Sequence, residues 1–87
     1  MTPGNGNPWS VCGKAAAALA AGCTVVAKPG EPSALEARIP VECFDKAALP
    51  PAVVNVVNGP GATVGSTLTR SPDVQRISFT GSTEVGR

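Results

Sequence analysis

Three short apolar segments alternate with helical stretches along this chain, and their order limits the folds open to it. The segments are 24–28 (TVVAK), 52–57 (AVVNVV) and 74–80 (VQRISFT). Strands that alternate with helices form βαβ units, which give a parallel sheet with right-handed crossovers. Near-continuous apolar strands are typical of such a sheet, because helices cover both of its faces. We therefore predict an α/β fold with a three-stranded parallel, Rossmann-like sheet and crossover helices, as part of a larger doubly wound domain.

Helical stretches are predicted at 10–23, 33–48 and 62–71, and another begins at 81. Residues 1–10 are predicted to be a loop, so that residues 11–87 form the α/β core of a partial domain. Gly22 stands where a glycine commonly follows a helix, and Ser33 with Glu36 has the spacing of a capping box. Pro40 is expected to kink or break the second helix, at a cost of about 3 kcal/mol.

Composition excludes several classes of function. Seven Lys and Arg against six Asp and Glu give a net charge of +1, which indicates neither a nucleic-acid nor a membrane partner. The chain has three cysteines and no histidine, so a zinc site of Cys and His is excluded and no metal is expected. We predict three buried, reduced thiols at Cys12, Cys23 and Cys43. Without a signal-peptide pattern or a long apolar stretch, the expected location is the cytoplasm or an organelle matrix.

Loops that follow the three predicted strands carry residues that suit a nucleotide. Ligands of open parallel sheets bind at the edge where the carboxyl ends of the strands meet. Because the topology brings all three loops to that edge, we predict a site there for phosphate and ribose groups. Its candidate residues are Lys28, Glu31, Gly59, Gly61, Gly65, Gly81 and Ser82.

The glycines at 59–65 read GPGATVG, one residue longer than the common dinucleotide fingerprint GxGxxG. Such a loop suits a pyrophosphate at a helix N-terminus, and it equally suits a plain turn with close helix packing. Gly81 and Ser82 offer backbone N–H groups and a hydroxyl to a phosphate, although Ser82 is also a good N-cap.

The two charged candidates also have two interpretations each. Lys28 would neutralise a phosphate or reach a ribose hydroxyl, or it is a solvated charge at the rim of the sheet. Glu31 would accept hydrogen bonds from ribose hydroxyls, or it is an acidic residue that a helix dipole stabilises. As a ribose ligand, Glu31 would repel a 2′-phosphate and so favour NAD over NADP.

Three blocks of the chain resemble the cofactor-binding domain of the aldehyde dehydrogenase superfamily, in the order in which the family has them. They are ALAAGCTVVAKPGEPSAL, LPPAVVNVVNGPG and ISFTGSTEVGR. The resemblance covers residues 3–87 without a gap, which is a minor part of a family member. It implies oxidation of an aldehyde to a carboxylic acid with NAD(P) as acceptor, by a cysteine nucleophile and a glutamate base. It also implies an aldehyde substrate and a homo-oligomer for the full-length protein.

Carried over residue by residue, the resemblance gives the candidate residues roles in binding NAD. Lys28 and Glu31 match the lysine and the acid at the adenosine ribose, and Ser82, beside Gly81, matches the serine at the pyrophosphate. Gly61 and Gly65 match glycines around the adenine pocket. One further residue, Asn5, falls on the asparagine of the PWNFP motif, whose side chain helps to form an oxyanion hole.

Departures from the family pattern leave a second interpretation open. The PWNFP motif appears as PGNGN, without its Trp and Phe. The family's catalytic glutamate and nucleophilic cysteine lie further along, and none of the three cysteines matches the nucleophile. The 87-residue chain alone is therefore expected to be inactive. The alternative is a non-catalytic, degenerate or truncated module that acts only in folding or partner contact.

Overall fold

The computed structural model describes residues 1–3, 7–33, 35–36 and 38–87. Two strands and four α-helices are assigned in this part of the chain, together with a 3₁₀ turn, Glu31–Ser33, and a π-helical segment, Gly61–Gly65, that leads directly into α3. The helices and strands are α1 (Asn7–Ala20), β1 (Val25–Ala27), α2 (Arg38–Lys46), β2 (Val54–Val56), α3 (Ser66–Arg70) and α4 (Thr83–Gly86). The chain is thus mixed α/β.

Strands β1 and β2 form a parallel two-stranded sheet, in which Val25 lies opposite Val54 and Ala27 opposite Val56. The backbone N–H of Val57 donates to the carbonyl oxygen of Ala27 at 2.9 Å, so the pairing continues to the carboxyl end of β1. The parallel βαβ unit expected from the sequence is therefore present, and the loops that follow β1 and β2 leave the sheet at the same edge.

A third strand at 74–80 was predicted, and the structure does not assign one there. This segment meets the N-terminal residue of the chain instead of β1 or β2. The Met1 amino group donates to the Ser78 carbonyl oxygen at 2.8 Å, and the Thr80 N–H donates to the Met1 carbonyl oxygen at 3.3 Å. These two bonds have the pattern of a parallel bridge, but a single residue is too short a partner for a ladder.

Helix α1 begins at Asn7, so the prediction of a loop over 1–10 is wrong for its last four residues. Its end is as predicted. Gly22 has a φ of +81°, its N–H donates to the Leu19 carbonyl oxygen, and the Cys23 N–H donates to that of Ala18. These 5→2 and 6→1 bonds make a Schellman motif, which reverses the chain into β1.

Helix α2 begins at Arg38, five residues after the predicted start, because residues 31–33 form a 3₁₀ turn. Pro40 therefore lies in the first helical turn and is buried there. Backbone N–H groups in a first turn have no intrahelical partner, so a proline costs little at this position. The predicted kink is thus replaced by a later helix start.

The apolar core is small. Val11 and Ala15 of α1, Ala27 of β1 and Pro29 are buried, while Trp9 and Leu35 are 86% and 90% exposed. The three cysteines are free but exposed, so the prediction that they are buried is wrong. The reason is that α1 buries the face that carries Val11 and Ala15, and Cys12 lies outside that face. Within the described ranges, every helix is too short or too polar to cross a membrane.

Candidate functional site

Lys28 comes directly after β1 and is 7% exposed, so it is not a solvated charge at the rim. Its Nζ donates to the Pro29 carbonyl oxygen at 3.1 Å, and its own carbonyl oxygen accepts from the Thr2 N–H at 3.2 Å. A buried ammonium group needs an acceptor, because leaving it without one is costly, and the Pro29 carbonyl oxygen is that acceptor. The Lys28 side chain is therefore fixed in one position at the carboxyl end of the sheet.

Glu31 and Gly61 are 30 residues apart in sequence and in direct contact. The Gly61 backbone N–H donates to the Glu31 Oε1 at 3.1 Å, on the exposed surface of the molecule. One residue follows β1 and the other follows β2, so the contact joins the two loops at the carboxyl edge. The structure thus brings together two of the residues that the sequence placed in one site.

Within the loop after β2, Gly59 is the glycine with a conformational requirement. Its φ is +152°, and a Cβ atom there would overlap the Cγ2 of Val64. Gly65 is buried, and a Cβ there would make an ordinary contact with the Met1 Sδ at 3.7 Å, while nothing lies within 4 Å of a Cβ at Gly61. The sequence resemblance singled out Gly61 and Gly65 and gave no role to Gly59, which shapes the turn.

Two shallow surfaces flank the helical segment 61–70. One is apolar and lies between the end of β2 and the helix, and the other is rich in hydroxyl groups and ends at a cation. The first is lined by Val57, Thr63, Val64, Thr67 and Leu68, and the second by Ala62, Thr63, Ser66, Thr67, Arg70 and Ser71. The apolar surface offers a flat place beside the loop that holds Gly61.

Ser82 is the N-cap of α4, since its Oγ accepts a hydrogen bond from the Val85 N–H at 3.3 Å. Gly81 lies against the Phe79 ring, and a Cβ there would come within 2.6 Å of it. Residues 1 and 2 connect this region with β1, because Thr2 bonds to Lys28 and Met1 bonds to Ser78 and Thr80. No sequence pattern predicted this connection.

Two amino groups, those of Met1 and Lys14, both bind to Ser78. The Lys14 Nζ donates to the Ser78 Oγ at 2.6 Å, next to the Met1 amino group on the same residue's carbonyl oxygen. Burial lowers the pKa of the Met1 amino group below 8.0, and the charges of Lys14 and Lys28 lower it further.

In the described part of the chain, no group of His, Cys, Asp and Glu is arranged to hold a metal ion. Asn5, the candidate oxyanion donor, lies outside the described residues.

The model of the aldehyde dehydrogenase family matches residues 1–87, and the chain belongs to that family. It is 45% identical over 86 residues to a 3-succinoylsemialdehyde-pyridine dehydrogenase of a Pseudomonas species, which is 99% of this chain and 18% of the relative. It is 45% identical over 87 residues to an aldehyde dehydrogenase of Enchytraeus buchholzi, and that match covers 100% of this chain and 18% of the relative.

The succinate-semialdehyde dehydrogenase [NADP(+)] of Escherichia coli is also 45% identical over 87 residues, 100% of this chain and 18% of the relative. The chain thus spans about a fifth of the length of these curated relatives. No solved structure gives a significant match.

Proposed function

We propose that this chain forms the part of an NAD-dependent aldehyde dehydrogenase that holds the adenosine and pyrophosphate of the cofactor. The whole protein would oxidise an aldehyde to a carboxylic acid. The contact between Glu31 and Gly61 is the main support, because it joins an acidic residue and a glycine loop at one edge of a parallel sheet, where ligands of such sheets bind.

Each candidate residue has a physical task in this proposal. Glu31 accepts hydrogen bonds from the ribose hydroxyls, and buried Lys28 supplies a fixed positive charge beside them. The apolar surface along Val57 and Leu68 gives the adenine ring a place beside the helical segment that begins at Gly61. NAD, when bound, supplies the acceptor for the hydride; this chain supplies binding and orientation only.

Gly65, like Gly61, is proposed to lie beside the adenine pocket. Gly81 and Ser82 offer backbone N–H groups and a hydroxyl to the pyrophosphate. The Ser82 hydroxyl already caps α4, which fits a donor and acceptor held in one orientation. Asn5 as an oxyanion donor, oligomerisation of the full-length protein and a cytoplasmic or matrix location belong to the same proposal and rest on the resemblance.

NAD is proposed over NADP because a carboxylate at Glu31 repels a 2′-phosphate. One relative that is 45% identical to this chain is named for NADP(+), so the cofactor preference can differ between proteins of this similarity. The 87-residue chain is proposed to lack dehydrogenase activity by itself, because none of its three cysteines matches the family's nucleophile.

Thermal unfolding of the chain, titrated with NAD, tests the proposal. A ligand that binds only the folded state adds about 2.7 kcal/mol of stability at a hundred times Kd. We expect NAD to raise the Tm of the native chain and of Glu36→Ala, a control that removes another exposed carboxylate. The shift should fall in Glu31→Ala. A cooperative transition that NAD leaves unmoved in every variant would favour a non-catalytic module.

A further inference from the structure

Glu31 and Gly61 are both assigned to the cofactor, and in this structure they are bound to each other. The Glu31 Oε1 accepts the Gly61 N–H at 3.1 Å. A carboxylate oxygen that already holds a protein donor has less capacity for a ribose hydroxyl. The contact between the two loops is therefore a rival of the contact with the cofactor.

The helical segment that begins at Gly61 explains why this contact forms. Pro60 precedes it as the N-cap and contributes no side-chain hydrogen bond, so the first N–H groups need other partners. Pro60 does supply its carbonyl oxygen to the N–H groups of Thr63 and Val64. The Gly61 N–H is among those without a carbonyl partner, and a carboxylate next to a helix N-terminus is electrostatically favoured. Glu31 thus caps the helix from the preceding loop.

We propose that the Glu31–Gly61 hydrogen bond is a latch that the adenosine ribose of NAD has to open. The inference rests on the proposed function and adds to it a free-energy cost of NAD binding. In the free chain the Glu31 carboxylate is bound to Gly61 in a fraction of the molecules. The apparent affinity for NAD is therefore the intrinsic affinity multiplied by the fraction of molecules in which Glu31 is available. Binding the ribose releases the cap and uncouples the loop after β2 from the loop after β1.

The matched pair Gly61→Pro and Gly61→Ala isolates the latch. Both substitutions add a Cβ, and nothing lies within 4 Å of that position. Only proline removes the N–H donor. Proline is tolerated at the first helical position, and Pro60 already has the extended conformation that a residue before proline prefers, with φ −60° and ψ 143°. Circular dichroism of both variants checks that each keeps its fold.

Isothermal titration of NAD into both variants is the test. We expect NAD to bind Gly61→Pro about three- to tenfold more tightly than Gly61→Ala, the usual worth of one exposed hydrogen bond. The same two substitutions in a Glu31→Ala background should bind NAD equally, because the latch is gone there. Equal or weaker binding by Gly61→Pro in the native background would overturn the latch and leave the proposed function standing. Absence of NAD binding in every variant would overturn both.

Discussion

Gly59 and Val64 touch so closely that a single added carbon on Gly59 would occupy the space of the Val64 Cγ2 methyl. Gly59 also has a φ of +152°, a conformation that L residues rarely adopt. The turn after β2 and the helical segment that follows are therefore in direct contact, because Val64 of that segment packs against Gly59 of the turn.

Gly59→Ala should destabilise the chain by more than about 1 kcal/mol, because the substitution adds both backbone strain and a steric overlap. Gly61→Ala is the control, since its Cβ meets nothing within 4 Å. Urea unfolding followed by circular dichroism measures both. Equal midpoints for the two variants would show that the turn adapts to the extra carbon.

The end of α1 gives a second matched pair. Gly22→Ala puts an alanine at a φ of +81° and should cost about 1–2 kcal/mol, because the left-handed conformation is unfavourable for a residue with a Cβ. Gly13→Ala lies inside α1 with open space around it, so it should stabilise the chain by about 0.5–1 kcal/mol. Thermal unfolding should move the Tm in opposite directions. An unchanged or higher Tm in Gly22→Ala would contradict the Schellman motif, and a lower Tm in Gly13→Ala would contradict the open space inside α1.

Stability should rise with pH between the lowered pKa of the Met1 amino group and its ordinary value of 8.0. In this window the unfolded chain binds more protons than the folded chain, so deprotonation favours folding. Below the window the charged amine is held against burial and the charges of Lys14 and Lys28. Tm measured across the window tests this. An N-acetylated chain, which keeps an N–H donor and loses the titrating group, should lack the slope; the same slope in both chains would assign it to other groups.

Cofactor preference should respond to the charge of Glu31. Glu31→Gln keeps the size and hydrogen-bonding capacity of the side chain and removes the negative charge that opposes a 2′-phosphate. We expect the ratio of the Kd for NADP to the Kd for NAD to fall by about fivefold or more, since one like-charge contact near the surface is worth about 1 kcal/mol. Glu36→Gln is the control. An unchanged ratio in Glu31→Gln would place the source of the preference elsewhere.

Local signals in the sequence predicted the local structure well. Gly22 marked the end of α1, and the apolar runs around Val25 and Val54 marked two parallel strands, because these features act over a few residues. The run at 74–80 has the same appearance and forms no assigned strand. Its neighbour is Met1, and a pattern of apolar residues does not say which segment will lie beside it. Pro40 was misjudged for a related reason, since its effect depends on where the helix starts.

The candidate site was predictable in its outline only. Topology alone indicated that the loops with Glu31 and Gly61 leave the sheet at the same edge. Their direct hydrogen bond depends on side-chain and loop geometry that no spacing rule contains. The burial of Lys28 was equally hidden, because no local pattern indicates its hydrogen bond with Thr2, which lies 26 residues earlier in the chain.

The hydrogen bond between Met1 and Ser78 joins residues 77 positions apart. Closing so long a loop costs more chain entropy than closing the β1–α2–β2 unit, whose paired residues Val25 and Val54 are much nearer in sequence. The order in which contacts form during folding follows from this. The bonds of Met1 to Ser78 and Thr80 are expected to form after β1 and β2 have paired, so they should also be the first to open when the chain is destabilised.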